Sequence, residues 1–189
     1  IVGILDDNPD LKETKIFGIP VRGGTKEMKK HWDKNNFDMA IVSISTNIRV
    51  RKALYEKCKS LNIPMANAIC PSVRVNRHSF IGEGNVICSF VHIGTCASIG
   101  NNNFISAQTN IEHHNVWGSH ITTGPNCSTS SRVEVGDCVK LGTGIFIQPG
   151  IAIGENCLIS SGSVITRSIP NNHALKIKLS YDIKPINKK

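Results

Sequence analysis

The chain has 189 residues, with 22 Lys and Arg against 14 Asp and Glu, a net charge of +8, 40% hydrophobic residues and only 5% aromatics. The length permits one large or two small domains with ample core, and no run of apolar residues is long enough for a membrane-spanning helix. The positive balance favours anionic partners, yet no nucleic-acid-binding module is recognisable and aromatics for base stacking are scarce, so nucleic acid is not an expected partner.

The start, Ile-Val-Gly-Ile-Leu, reads as a strand ending in the turn Asp6-Asp7-Asn8-Pro9. It opens inside an apolar run with neither initiator Met nor signal-peptide layout, so further residues are expected before Ile1. Residues 16–21 and Gly23-Gly24 form a short connection, and Thr25 is placed to cap a helix from 26 to about 35, with Glu27 in its first turn. Met39 to Ser45 is a second buried strand. Thr46 or Asn47 then caps a second helix with Val50, Leu54 and Cys58 on one face, and Asn62-Ile63-Pro64 ends it. Strands alternating with helices predict a small parallel α/β domain over residues 1–68, incomplete at its N-terminus. In such sheets ligands bind at the carboxyl ends of strands, which makes Asp6, Asp7 and Thr46 candidate substrate contacts. The competing reading is that Asp6 to Pro9 is only a turn. No GxGxxG follows the first strand, so a dinucleotide cofactor is not supported.

From Ile69 a different rule takes over. Every sixth residue to Ile165 gives seventeen consecutive positions, fourteen of them Ile, Val or Leu. Neither a helix of period 3.6 nor a flat strand of period 2 sustains this. It predicts a solenoid of stacked short strands, three per turn, forming a left-handed parallel β-helix over 69–170. Glycine follows the aliphatic residue at 82, 94, 100, 118, 124, 136, 142 and 154, where it is expected to supply positive φ at the corners. Residues 171–189 form a basic tail with Lys176, Lys178, Lys184, Lys188 and Lys189.

The three exceptions to the hexad are consecutive, Trp117, Thr123 and Thr129, and the same coil holds Glu112-His113-His114 and His120. Threonine in place of isoleucine gains nothing for an apolar core, so this coil is expected to serve something other than packing. His113, beside a corner, is the leading candidate for a general base, because imidazole titrates near neutral pH and can take a proton from an amine or hydroxyl. The bland alternative is an incidental exposed histidine. The seven cysteines include no CxxC pair and are odd in number; they read as small hydrophobes in a reducing cytoplasm.

Several motifs together resemble the hexapeptide-repeat sugar N- and O-acetyltransferases typified by the bacillosamine-pathway and sialic acid enzymes. These are Leu5-Asp6-Asp7-Asn8, the helix at 48–57, Pro71-Ser72, Ile81-Gly82-Glu83-Gly84, Ile111-Glu112-His113 and Ser161-Gly162-Ser163-Val164-Ile165. The resemblance implies acetyl transfer from acetyl-CoA, a co-substrate rather than a metal cofactor, to an amino or hydroxyl group of a nucleotide-sugar or sialic-acid-like molecule in surface glycan biosynthesis. It also implies a homotrimer, with the acceptor between the α/β domain and a neighbour's prism. His113 takes the place of the family's catalytic histidine, and Asp6 and Asp7 that of its nucleotide-binding pair. The chain departs from the pattern where the acidic residue after the histidine becomes His114, leaving Glu112 as a possible substitute. The second family histidine becomes Thr122, with His120 nearby; Ser131 and Ser161 complete the expected acyl-CoA contacts. Two other readings remain: a non-catalytic sugar-nucleotide-binding homologue, and a metal-dependent hydratase using His78, His114 and His120.

Overall fold

The computed structural model describes residues 1–178. Of the expected tail, 179–189 lie outside the described residues.

The N-terminal unit is held by two helices, α1 (Met28–Asp33) and α2 (Ile48–Ser60). Met28, Val42, Tyr55, Cys58, Ile63 and Met65 form its core, with Leu5, Trp32 and Phe37 packed against it. The expected parallel strands are reduced to single parallel bridges, Ile4 with Val21 and Ala40 with Met65. Their partners explain why. Ile4 N–H donates to the Pro20 carbonyl and Ala40 N–H to the Pro64 carbonyl, at 3.0 Å each, and a proline has no N–H with which to carry a ladder further. Thr25 begins a short 3-10 turn (Thr25–Glu27) rather than capping α1. Asn47, not Thr46, caps α2, its Oδ1 accepting from Val50 N–H at 3.2 Å.

The buried face of α2 also differs from the expectation. It carries Arg51, Tyr55 and Cys58, while Val50 is exposed. Arg51 is 1% exposed. Its Nε donates to Asn102 O, Nη1 to Ile44 O, and Nη2 to both His120 O and Ile121 O, at 2.9 to 3.1 Å. Burial lowers its pKa to about 10, so the guanidinium stays charged at neutral pH and is satisfied by carbonyls alone.

From Ala68 the chain forms a prism of two-residue strands stacked in three parallel sheets. Face A has seven strands, from Ala68–Ile69 to Ala174–Leu175; face B has six, from Arg74–Val75 to Val164–Ile165; face C has five, from Phe80–Ile81 to Ala152–Ile153. Partners are eighteen residues apart, as in Ile69 with Ile87 and Ile111 with Ile93, except in the last coil, where Leu158 meets Ala174 sixteen residues on. The inward hexad residues from Ile87 to Ile165 are buried, while Ile69 and Val75 at the open first coil are not. Pairing of Leu158 with Ala174 carries the ladder past residue 170.

The glycines do not do what the sequence reading expects. None of 82, 94, 100, 118, 124, 136, 142 or 154 has positive φ. The left-handed residue is two positions later: Gly84, Phe90, Cys96, Asn102, Gln108, His114, His120 and onward. There the amide reverses. Strand amides donate to the following coil, as in Gly94 to Ile111 O at 2.7 Å, whereas His114 donates back to Thr95 O at 3.0 Å. Glycine is needed earlier because the coils touch: a Cβ on Gly94 would lie 2.6 Å from the Glu112 carbonyl carbon and the His113 nitrogen.

Steric contact and backbone conformation therefore separate as two distinct demands. Gly100→Ala, whose Cβ would meet Gly118 O at 2.6 Å, is expected to cost about 1–3 kcal/mol. Gly144→Asn, at φ +64 with nothing within 4 Å of a Cβ, is expected to cost under about 1 kcal/mol, because asparagine tolerates the left-handed region. Denaturant unfolding of the two variants checks this; equal losses would contradict it.

Candidate functional site

His113 lies at the corner between faces B and C, half-buried, with Thr95 one coil before it and Ser131 one coil after. The backbone is fixed from both sides: His114 N–H donates to Thr95 O and Arg132 N–H to His113 O, at 3.0 and 3.1 Å. Asn115, fully buried, donates through Nδ2 to Glu112 O and Ser130 O, each at 2.8 Å, and so pins the corner from inside. Gly94 supplies the space beneath.

The side chains converge. His113 Nδ1 lies 2.9 Å from His114 Nδ1, with the rings edge to face at 5.1 Å between centroids. Glu112 turns away: its Oε1 accepts from Asn110 Nδ2 at 3.2 Å. Asn110 itself projects outward on face B, in register with His92 and Ser128. The structure thus gathers His113, His114 and Ser131 at one corner, with Glu112 beside them. Asn110 and Asn115, which the sequence reading did not single out, orient that group; the signal for Asn115 is its place two residues before the inward Trp117.

The other expected residues lie elsewhere. His120 is 4% exposed at the corner between faces C and A. Its Nδ1 is 2.8 Å from Asn102 Nδ2, its Nε2 3.7 Å from Glu56, and its ring is edge-on to Tyr55. It is a docking residue for α2, and burial lowers its pKa despite the nearby Glu56. Thr122 follows the carbonyls that Arg51 holds and is buried, its hydroxyl without a hydrogen-bond partner in the described residues. Ser161 stands at the third corner, between faces A and B, where its Oγ accepts from Thr143 N–H at 3.0 Å. Within one protomer, none of the three can reach His113's corner.

His78 and His114 share a corner column while His120 sits on another, and no cluster of three potential metal ligands exists among the described residues. Within one protomer the three histidines of the hydratase reading are therefore not brought together, that reading having placed its site between subunits. The threonines of the irregular coil also differ from the expectation. They are buried in the prism: Thr123 Oγ1 accepts from Ser106 N–H at 2.9 Å and Thr129 Oγ1 donates to Asn110 O at 3.3 Å.

In the N-terminal unit Asp7 accepts from Thr25 N–H at 2.7 Å and from its hydroxyl at 2.8 Å, which lowers its pKa. Asp6 accepts from Asn8 N–H at 2.8 Å. Both carboxylates therefore organise the turn and the loop at 23–25, beside a cavity of about 250 Å³ lined by Arg22, Gly23 and Glu27. Thr46 is exposed just before the cap of α2. A larger open cleft of about 690 Å³ runs along face C, rimmed by Glu134, Asp137 and Glu155. Three carboxylates make it a poor seat for the phosphates of a coenzyme, and His113 does not line it.

No protein-family model matches the chain. Among curated proteins it is similar to the acyl-[acyl-carrier-protein]–UDP-N-acetylglucosamine O-acyltransferase of Campylobacter concisus, 28% identical over 109 residues, 57% of this chain and 42% of that protein. The chain thus spans about two fifths of the length of this curated relative. Among solved structures, PerB from Caulobacter crescentus, in complex with CoA and GDP-perosamine, has a TM-score of 0.83 at 27% identity, covering 91% of this chain and 80% of that one. The acetyltransferase domain of PglB from Neisseria gonorrhoeae, in complex with acetyl coenzyme A, has a TM-score of 0.83 at 21% identity, covering 91% of this chain and 81% of that one, a likeness of fold. The solenoid of about six turns is that of the left-handed β-helix acetyltransferases.

The junction at His120 gives a stability signature. Burial holds its folded-state pKa below the ordinary 6.5, so below that pH the unfolded chain binds more protons and stability falls as pH falls. Asp7 and Glu83, whose pKa values are also lowered, lose their contributions only further into acid. Thermal unfolding between roughly pH 7.5 and 5 should show a decline that His120→Asn flattens; an unchanged slope in the variant would rule the assignment out.

Proposed function

We propose that this chain, a hexapeptide-repeat left-handed β-helix protein sharing its fold with sugar acetyltransferases, moves an acetyl group from acetyl-CoA to an amino or hydroxyl group of a nucleotide-linked sugar. The observation that carries the reading is His113 at a fixed corner, half-buried, with its Nδ1 engaged by a neighbour. When His113 is the donor in that contact, its Nε2 is left as a lone pair to take the proton of an attacking amine or hydroxyl. The nitrogen or oxygen then bonds to the acetyl carbon, the carbon–sulfur bond breaks, and the proton passes to the departing thiolate.

Ser131, one coil away, is the hydrogen-bond donor placed to meet the acyl group. Asp6, Asp7 and Thr46 mark the edge of the N-terminal unit for the acceptor, with Asp7 holding the loop at 23–25 in position. In one protomer that unit docks through Arg51 on the corner between faces C and A, not on the corner that bears His113. A complete site therefore draws its acceptor-binding edge from another subunit, which supports a homotrimer in surface glycan biosynthesis. The positive balance of the chain suits both anionic substrates.

Thiol release from acetyl-CoA, measured with a panel of amino-sugar nucleotides, tests the reading. His113→Ala is expected to fold normally and to lose turnover by about a hundredfold or more. Turnover unchanged in the variant would sink the mechanism. Nucleotide-sugar binding without any acetyl transfer would instead favour a binding homologue.

A further inference from the structure

We propose that His114 is the positioning residue for His113, accepting its Nδ1–H and so holding it in the tautomer whose Nε2 is free. The inference rests on the reading of His113 as the base. Two Nδ1 atoms 2.9 Å apart can be joined only by one proton, because two N–H groups would repel and two lone pairs would leave nothing to share. If His114 donates, His113 must carry its own proton on Nε2 and cannot act as a base there. If His113 donates, its Nε2 is a lone pair. Only the second arrangement is competent, and it requires His114 to be neutral with its proton on Nε2.

The local backbone is what lets this pair form. His114 occupies the left-handed corner position, φ 59, and its ring meets that of the preceding residue at 88°. Glu112, the carboxylate nearest in sequence, bonds to Asn110 instead. Around the pair stand Glu112 on the same corner, Cys96 one coil before, Arg132 one coil after and His78 two coils before, all in the stacked corner column or beside it. During transfer the acceptor's proton moves to His113 Nε2 while the Nδ1 proton stays shared with His114, which spreads the positive charge over two rings. The proton then leaves from Nε2 to the coenzyme thiolate, and the pair returns to its neutral state. A pair that has already taken up one proton cannot start the cycle, whichever ring holds it.

Steady-state acetyl transfer across pH by His114→Ala, His114→Asn and His114→Asp tests this. His114→Ala should lose kcat by roughly ten- to a hundredfold with KM unchanged. His114→Asn, whose amide oxygen can accept from Nδ1–H and which tolerates the left-handed corner, should restore most of that loss. His114→Asp should move the acidic limb of kcat/KM to higher pH, since a carboxylate favours the imidazolium more than a neutral ring does. Wild-type kcat and an unshifted pH profile in His114→Ala would overturn the inference. If that variant does not fold, a folded His114→Asn that has lost kcat more than tenfold would overturn it as well. An active His113→Ala would defeat the base itself; an inactive His113→Ala beside a fully active His114→Ala would defeat only the role of His114.

Discussion

The prism depends on one constraint: each coil must return its backbone to the coil before it after eighteen residues, close enough for every strand amide to find a carbonyl. Amides along the faces donate forward, as Phe104 to Ile121 O at 2.9 Å, and corner amides donate backward, as His120 to Asn101 O at 2.8 Å. The reversal needs a left-handed residue at each corner. Asparagine, histidine, cysteine and even phenylalanine accept that conformation here, so the ladder's hydrogen bonds outweigh the steric cost of roughly 1–2 kcal/mol per residue. Side chains extend the same logic. From exposed Asn67 at the first coil to buried Asn85 and Asn103, a chain of bonds passes along one corner, each Oδ1 accepting the amide one coil on, at 2.7 to 2.9 Å.

The second constraint is the buried guanidinium of Arg51. A charge taken out of water is tolerable only when every donor finds an acceptor, and here the planar fork reaches three chain segments at once: the loop at Ile44, the corner at Asn102 and the strand entry at His120 and Ile121. A lysine could not span them with one point charge. Tyr55 and Lys59 add contacts to Glu83, and the Tyr55 ring lies against Gly84. Fixing α2 on this corner has a functional consequence. It fills one edge of the prism and leaves the edge with His113 uncovered by its own N-terminal unit.

The hexad made the prism strands from Ile69 to Ile165 legible, because the two residues of each strand follow from a period of six, whereas Ala174–Leu175 lies beyond it and was read as tail. What it did not reveal is which corner position bends and which merely touches. Sequence shows a glycine in both cases, and the difference lies in the neighbouring coil, which no local reading contains. Arg51 was hidden for a related reason. A helix stripe is sought among apolar residues, and Val50, Leu54 and Cys58 offered one, but the prism corner presents carbonyls and so selects the stripe one residue over. His120 and His114 have the same hexad phase, so the sequence does not tell their corners apart; the two differ in what docks on them. His113 was legible as to place. Its partner was not, since adjacent residues converge only when the second is left-handed.

The irregular coil shows how the core absorbs such demands. Its three inward positions are Trp117, Thr123 and Thr129, one on each face of a single layer. A tryptophan is far larger than the isoleucine it replaces and a threonine is smaller, so the changes within the layer partly offset one another, the kind of change that packed interiors tolerate best. Thr123 then repairs the ladder. Ser106 N–H bonds to the Thr123 hydroxyl at 2.9 Å in place of the carbonyl, and the Ser106 hydroxyl returns the bond to Thr123 O at 2.6 Å. The interior polarity is thus spent on backbone bonds, at the end of face A through Thr123 and, through Thr129, at Asn110 O on the strand that leads into the corner bearing His113. A layer with one large rigid ring and two anchored hydroxyls is held in place more firmly than three interchangeable isoleucines would be, which steadies the corner that bears His113.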